Sequence, residues 1–165
     1  MIPEIFKYNS VISVPLFSLI AVWLIYHSEG FLWKRHTVSE TILLVSHKKY
    51  QTIFRYIFLI KAVLDLGFFW FLFSHFHISL QSPIAWIFIA EAVLFGLLAY
   101  VTEGPQVVLH KIISHGSSMT WAICELYLAS LTKNPIFLWF TYGVVLSTVF
   151  AALFFEYTKK DDHYC

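Results

Sequence analysis

Five stretches of this chain are long and apolar enough to cross a bilayer, and that limits the fold before any motif is considered. A hydrocarbon core takes about 20 largely apolar residues per helix. The runs cover about 10 to 27, 53 to 74, 84 to 102, 107 to 129 and 135 to 156. Helix breakers agree with these limits: Pro83 opens the third run, Gly104-Pro105 divides the third from the fourth, and Asn134-Pro135 opens the fifth. The expected fold class is all-α, a polytopic membrane helical bundle of five transmembrane helices forming a single transmembrane domain over residues 1–165. The first run lacks the basic leader region and small-x-small cleavage site of a signal peptide, so a retained span is expected.

Composition points the same way. Of the 165 residues, 59% are hydrophobic and 13% charged, against roughly 45–50% and 25% in soluble domains. Spans and short connections use nearly all of the chain, which leaves no length for a soluble module. A formal net charge of +1 gives no electrostatic ground for a nucleic-acid partner. Aromatic residues make up 19%, with 17 Phe, and rings suit lipid-facing surfaces and interfacial belts. Cys124 falls inside an apolar run and Cys165 ends the chain, so neither a disulfide nor a metal-type spacing is expected. The ending DHYC does not place its cysteine fourth from the end, as prenylation requires.

Lys and Arg set the orientation, because they are retained on the cytoplasmic side. The loop from 28 to 52 carries Lys34, Arg35, Lys48 and Lys49, and the tail carries Lys159 and Lys160. The connection from 75 to 83 has none, so the N-terminus is expected outside and the C-terminus inside, in the cytoplasmic (plasma) membrane. Lys7 and Lys133 are isolated exceptions. Within the cytoplasmic loop, Thr37 three residues ahead of Glu40 forms a capping-box pattern, which predicts a short helix from about residue 38.

Ionisable residues inside spans cost about 2.5–3.5 kcal/mol each at the bilayer centre, so they turn inward and pair. A rise of about 1.5 Å per residue assigns each one a level. Lys61 and His115 share a level about 12 Å from the inner surface. Asp65 and Glu91 share the next, so Lys61, Asp65, Glu91 and His115 form an expected buried polar cluster. Lys61 and Asp65 are four apart on one helix face and can pair. The cation precedes the anion, the weaker order, so Asp65 is expected to take a further partner from another helix, with a protonated Glu91 bonded to it or sharing the Lys61 charge. Such a cluster is either a clamp that sets helix register or a site for a polar ligand or proton. A second set, His27, Glu40, Arg55, Glu103 and His110, is expected near the cytoplasmic side.

Small residues mark where helices can approach: Ala92 and Gly96 on the third span, and Gly143, Ser147 and Ala151 on the fifth. Ser114, Gly116, Ser117 and Ser118 make the middle of the fourth span thin and polar, as a cavity lining or a packing surface requires.

Eight histidines raise the question of a metal or haem. His110 and His115 are about 140° apart around a helix, and no HExxH occurs, so no metal site forms on one helix. His27 and His110, both near the inner surface on different spans, are the residues that could act as axial haem ligands; otherwise no cofactor is expected. No Ser or Cys nucleophile has a base at recognisable spacing, and no phosphate-binding glycine loop is present. Enzyme activity therefore has no positive support.

Ser28-Glu29-Gly30, His36 to Thr41 after the first span, and Gly104-Pro105 followed by His110 at the opening of a span together carry a resemblance. In this layout the chain resembles small prokaryotic multi-span membrane proteins of unknown function and is distantly similar to DRAM-type membrane proteins. It differs in having five spans where six are expected. The resemblance implies a helical bundle in which Glu40 and His110 matter, and it carries no activity. The expected function is non-enzymatic: binding of a lipid or small hydrophobic ligand, or service as an accessory subunit of a membrane assembly. The expected partners are the lipid bilayer and a membrane protein or a second copy. The alternatives are a proton-coupled transporter or channel component using Lys61, Asp65, Glu91 and His115, and a b-type haem protein.

Overall fold

The computed structural model describes residues 4–28, 48–101 and 106–161, with side chains to residue 150. The expected helix start at Thr37, and Glu40 and Glu103 of the cytoplasmic-side set, lie outside the described residues. A 3-10 helix, Glu4–Tyr8, leads into α1 (Asn9–Tyr26). α2 (Lys48–His75), α3 (Pro83–Leu97), α4 (Val107–Thr132) and α5 (Pro135–Asp161) follow, and no strand occurs among the described residues. Among the described residues two helical stretches, Glu4–Tyr26 and Lys49–His75, are long and apolar enough to cross a membrane. Pro83–Leu97 and Pro135–Phe150 are shorter apolar helices.

Local chemistry explains where the helices stop. α2 ends in a Schellman turn: Phe76 N–H donates to the Leu72 carbonyl at 2.9 Å and Ile78 N–H to the Phe73 carbonyl at 2.8 Å. That turn needs a left-handed residue, and His77 takes the position at φ 53° where glycine is usual. Ile78, which closes that turn, is buried. Ser82 is extended and Pro83 occupies the first turn of α3, a position whose N–H would be unpaired in any case. α4 ends ahead of Lys133, again left-handed at φ 52°. Asn134 then caps α5, its Oδ1 accepting from Ile136 N–H at 3.0 Å and Phe137 N–H at 3.3 Å.

One boundary differs from expectation. The third apolar run was expected to be helical to about 102, whereas α3 stops at Leu97. The next residues tighten into three-residue turns, Ala99 N–H bonding the Gly96 carbonyl and Tyr100 N–H the Leu97 carbonyl. Hydropathy continues past Leu97, but the backbone pairing changes, and hydropathy does not report pairing.

The chain divides into two compact units, Met1–Trp121 and Ala122–Cys165, with the boundary inside α4. In the first, α2 packs against both α1 and α3. Its core joins Leu24 of α1, Phe54, Ile57 and Phe58 of α2, and Ala99, with Phe17 and Phe95 against it. Phe58 stacks on Phe95 at 4.9 Å, and Phe17 meets both edge-on at 5.1 and 5.3 Å. Such ring pairs add about 0.5–1.5 kcal/mol each beyond their buried area. α3 buries Ala85, Phe88, Ala92 and Gly96 along one stripe. A Cβ placed on Gly96 would lie 3.2 Å from Ala62 Cβ, so this glycine sets how closely α3 approaches α2. In the second unit Cys124, Ala129 and Thr141 are buried, while α5 exposes Ile136, Trp139, Phe140, Leu146 and Phe150. Gly143 is exposed, and a Cβ there would meet nothing within 4 Å.

Candidate functional site

Lys61 and Asp65 lie one turn apart on α2, and the helix itself brings them together: Lys61 Nζ donates to Asp65 Oδ2. The second carboxylate oxygen is engaged from another helix. Ser13 Oγ of α1 donates to Asp65 Oδ1 at 3.0 Å, across 52 residues of sequence. Ser13 is 1% exposed and Asp65 6%, so this bond is shielded from solvent. α3 contributes a ring face, with Lys61 Nζ 4.3 Å from the Phe95 centroid. Three helices thus meet on one ion pair, each through a different chemistry.

The arrangement meets the condition that buried ion pairs impose. Desolvating two charges is offset only when geometry is good and the remaining lone pairs are satisfied. Here both Asp65 oxygens accept a hydrogen bond, one from a cation and one from a hydroxyl. Nearby, Asn9 Nδ2 donates to the Leu64 carbonyl at 3.1 Å, a second polar tie between α1 and α2. It fits because residue 67 is glycine: a Cβ there would lie 2.5 Å from Asn9 Nδ2.

Glu91, on the stripe of α3 that contains Phe88 and Ala92, is 4% exposed. His115 is placed differently from the expected interior position beside Lys61. Its ring is exposed, and its Nδ1–H donates to the Lys111 carbonyl of its own helix at 2.8 Å. The cause is azimuth: His110, Ile113 and Ser117 are the buried residues of this part of α4, and a residue five positions from His110 points about 140° away from it.

The cytoplasmic-side residues occupy contrasting surroundings. His27 is exposed, its Nδ1–H donating to the Trp23 carbonyl at 2.8 Å. Its ring lies 4.6, 5.3 and 5.6 Å from those of Trp23, Tyr26 and Tyr50. Arg55 is exposed on α2. His110 is 4% exposed, and its Nδ1–H donates to the Val101 carbonyl at 2.6 Å, which ties the start of α4 to the chain just beyond α3. Among the described residues no group of three or more His, Cys, Asp or Glu is placed to hold a metal ion.

Two residues of the site escaped sequence reasoning, Asn9 and Ser13. Ser13 gives no signal of its own, because single serines are common in apolar helices, where they bond a carbonyl of the preceding turn. Ser13 does this too, at 3.4 Å to the Ser10 carbonyl, in addition to its Asp65 bond. Asn9 at the head of the first run was the legible one, as a polar residue at a helix start. No family model, curated protein or solved structure matches the chain.

Proposed function

We propose that the chain is a five-span integral membrane protein of the cytoplasmic membrane, N-terminus outside and C-terminus inside. In this reading it is non-enzymatic and binds a lipid or small hydrophobic ligand, or serves as an accessory subunit of a membrane assembly. The carrying observation is that Asp65, the buried anion of α2, accepts a hydrogen bond at each carboxylate oxygen, from Lys61 and from Ser13. In the unit that holds the clamp the helices expose hydrocarbon, with Val63, Trp86 and Ile112 all more than half exposed, and in the second unit Trp139 of α5 is too. Apolar surface on so many helices is costly in water and favourable in lipid. α3, at about 22 Å by its 15 residues, is short for a 30 Å core. Thinning of the bilayer or snorkelling of flanking residues accommodates such a span at modest cost.

The transport reading is less well supported. A proton path through Lys61, Asp65, Glu91 and His115 needs the four groups to share a hydrated interior, whereas His115 is exposed and Asp65 is engaged at both oxygens by Lys61 and Ser13.

Cysteine labelling tests the membrane arrangement. With Cys124 and Cys165 replaced by Ser, His77→Cys and Lys133→Cys are expected to react with a membrane-impermeant maleimide on intact cells. Lys49→Cys and Lys111→Cys are expected to react only after permeabilisation. Labelling of His77→Cys and Lys49→Cys from the same side, or recovery of the chain in the soluble fraction, would contradict the five-span reading.

A further inference from the structure

Residues 114–120, in the middle of α4, read SHGSSMT, and their polar side chains turn back on the helix's own backbone. Ser118 Oγ donates to the Ser114 carbonyl at 3.0 Å. Thr120 Oγ1 stands 2.9 Å from the Gly116 carbonyl and 3.0 Å from the Ser117 carbonyl, so its one proton can serve either. One turn earlier, His115 Nδ1–H donates to the Lys111 carbonyl at 2.8 Å. In an α-helix each of these carbonyls is also the acceptor for the N–H four residues on. The carbonyls of residues 111, 114, 116 and 117 therefore each have a side-chain donor within reach besides the backbone one.

That sharing has a mechanical consequence. A hydroxyl bonded to a carbonyl of the preceding turn competes with the backbone N–H and bends the helix. The same hydroxyl keeps the carbonyl satisfied when the backbone bond lengthens, so opening costs less here than in a turn without one. Gly116 adds backbone freedom in the same turn, and kinks without proline occur at such Gly/Ser pairs. Packing does not demand a glycine at this position: a Cβ would stand 3.4 Å from Leu94 Cδ1, at contact distance. On α5 the comparable bonds of Ser147 and Thr148 converge on the single carbonyl of Val144, so only one step of that helix is affected.

The segment also sits where packing changes. Ahead of it His110 and Ile113 are buried, and His110 is tied to the Val101 carbonyl. Directly after it, between Trp121 and Ala122, falls the boundary of the two compact units.

We infer that residues 114–120 form a bend point in α4, at which the second half of the helix changes its angle to the first while its carbonyls stay hydrogen-bonded. Ser118 and Thr120 are the working parts, their hydroxyls taking over the carbonyls of residues 114, 116 and 117 as the backbone bonds lengthen. The inference concerns α4 alone and does not depend on the number of spans.

Distance distributions between paired spin labels test this, on the full chain in detergent micelles with Cys124 and Cys165 replaced by Ser. One pair joins Tyr56→Cys on α2 to Ser130→Cys, which lies about 21 Å along α4 beyond Gly116. The reference pair, Tyr56→Cys with Trp86→Cys on α3, lies wholly in the first unit. All three positions are exposed. The expected distribution for the first pair is several-fold wider than the reference, and it narrows to about the reference width when Ser118→Ala and Thr120→Val are introduced together. Thr120→Ser alone, which keeps the hydroxyl, is expected to leave it wide, with helicity of every variant checked by circular dichroism. A first pair as narrow as the reference would overturn the bend point. Equal breadth with and without the two hydroxyls would overturn it too, since the motion would then arise elsewhere in the chain.

Discussion

Toward α1, helix α2 adds polar ties to the packing of Leu24 and Phe17: Ser13 to Asp65, Asn9 to the Leu64 carbonyl, with Lys61 completing the ion pair. Toward α3 the same helix is held by shape, with Ala62 against Gly96, Phe58 stacked on Phe95, and Phe69 against Phe88. The two interfaces differ in how they fail. A buried ion pair is nearly all-or-none, because removing one partner leaves the other charge desolvated. Hydrocarbon packing yields by degrees, according to how far the neighbours can relax. The polar face therefore fixes which helix sits where along α2, and the apolar face fixes how closely.

The largest expected effect falls on the polar face. Asp65→Ala should lower stability by up to about 3–5 kcal/mol, because the partly buried Lys61 is left without its anion. Replacing both partners, Lys61→Met with Asp65→Leu, should recover most of that loss. Reversible unfolding in mixed micelles measures both, and a double variant no better than the single one would mean that the pair is not the source of the effect. Next comes Ser13→Ala, expected to cost about 1.5–3 kcal/mol for one buried hydrogen bond to a charged group. The apolar face is probed by Gly96→Val, whose branched side chain must push α3 away from Ala62; overpacking of this kind costs about 1–3 kcal/mol. Smallest is Gly143→Ala on α5, expected to change stability by less than about 0.5 kcal/mol, since its Cβ would meet nothing. If Gly143→Ala proved as damaging as Gly96→Val, the exposed face of α5 would be packed against something in solution.

That last pair shows how much the sequence could say. Ala92 with Gly96, and Gly143 with Ser147, carry the same four-residue spacing. Only Gly96 lies at a close helix approach, because spacing records that a surface is thin and not whether a neighbour covers it. The helices themselves were legible, since long apolar runs with Pro and Asn at their edges leave few other conformations. The Lys61–Asp65 pair was legible as well, because both ends lie on one helix and the four-residue step fixes their separation. The partner across the helix boundary was not. Rise per residue gives a level but no azimuth, which is why Ser13 was missed and why His115, assigned the level of Lys61, turned out to face away. Exposed His115 and buried His110 are what a wheel with one buried face allows, and the choice between them lay in packing that the sequence does not display.

The clamp reading is tested most directly by proton flux. Wild-type protein and Asp65→Asn are each reconstituted into liposomes loaded with a pH-sensitive dye, and decay of an imposed pH gradient is followed. If Lys61, Asp65 and Ser13 form a closed structural clamp, both preparations leak at the rate of protein-free liposomes. A pH-dependent flux through the wild type that Asp65→Asn abolishes would contradict it and make the cluster a proton path.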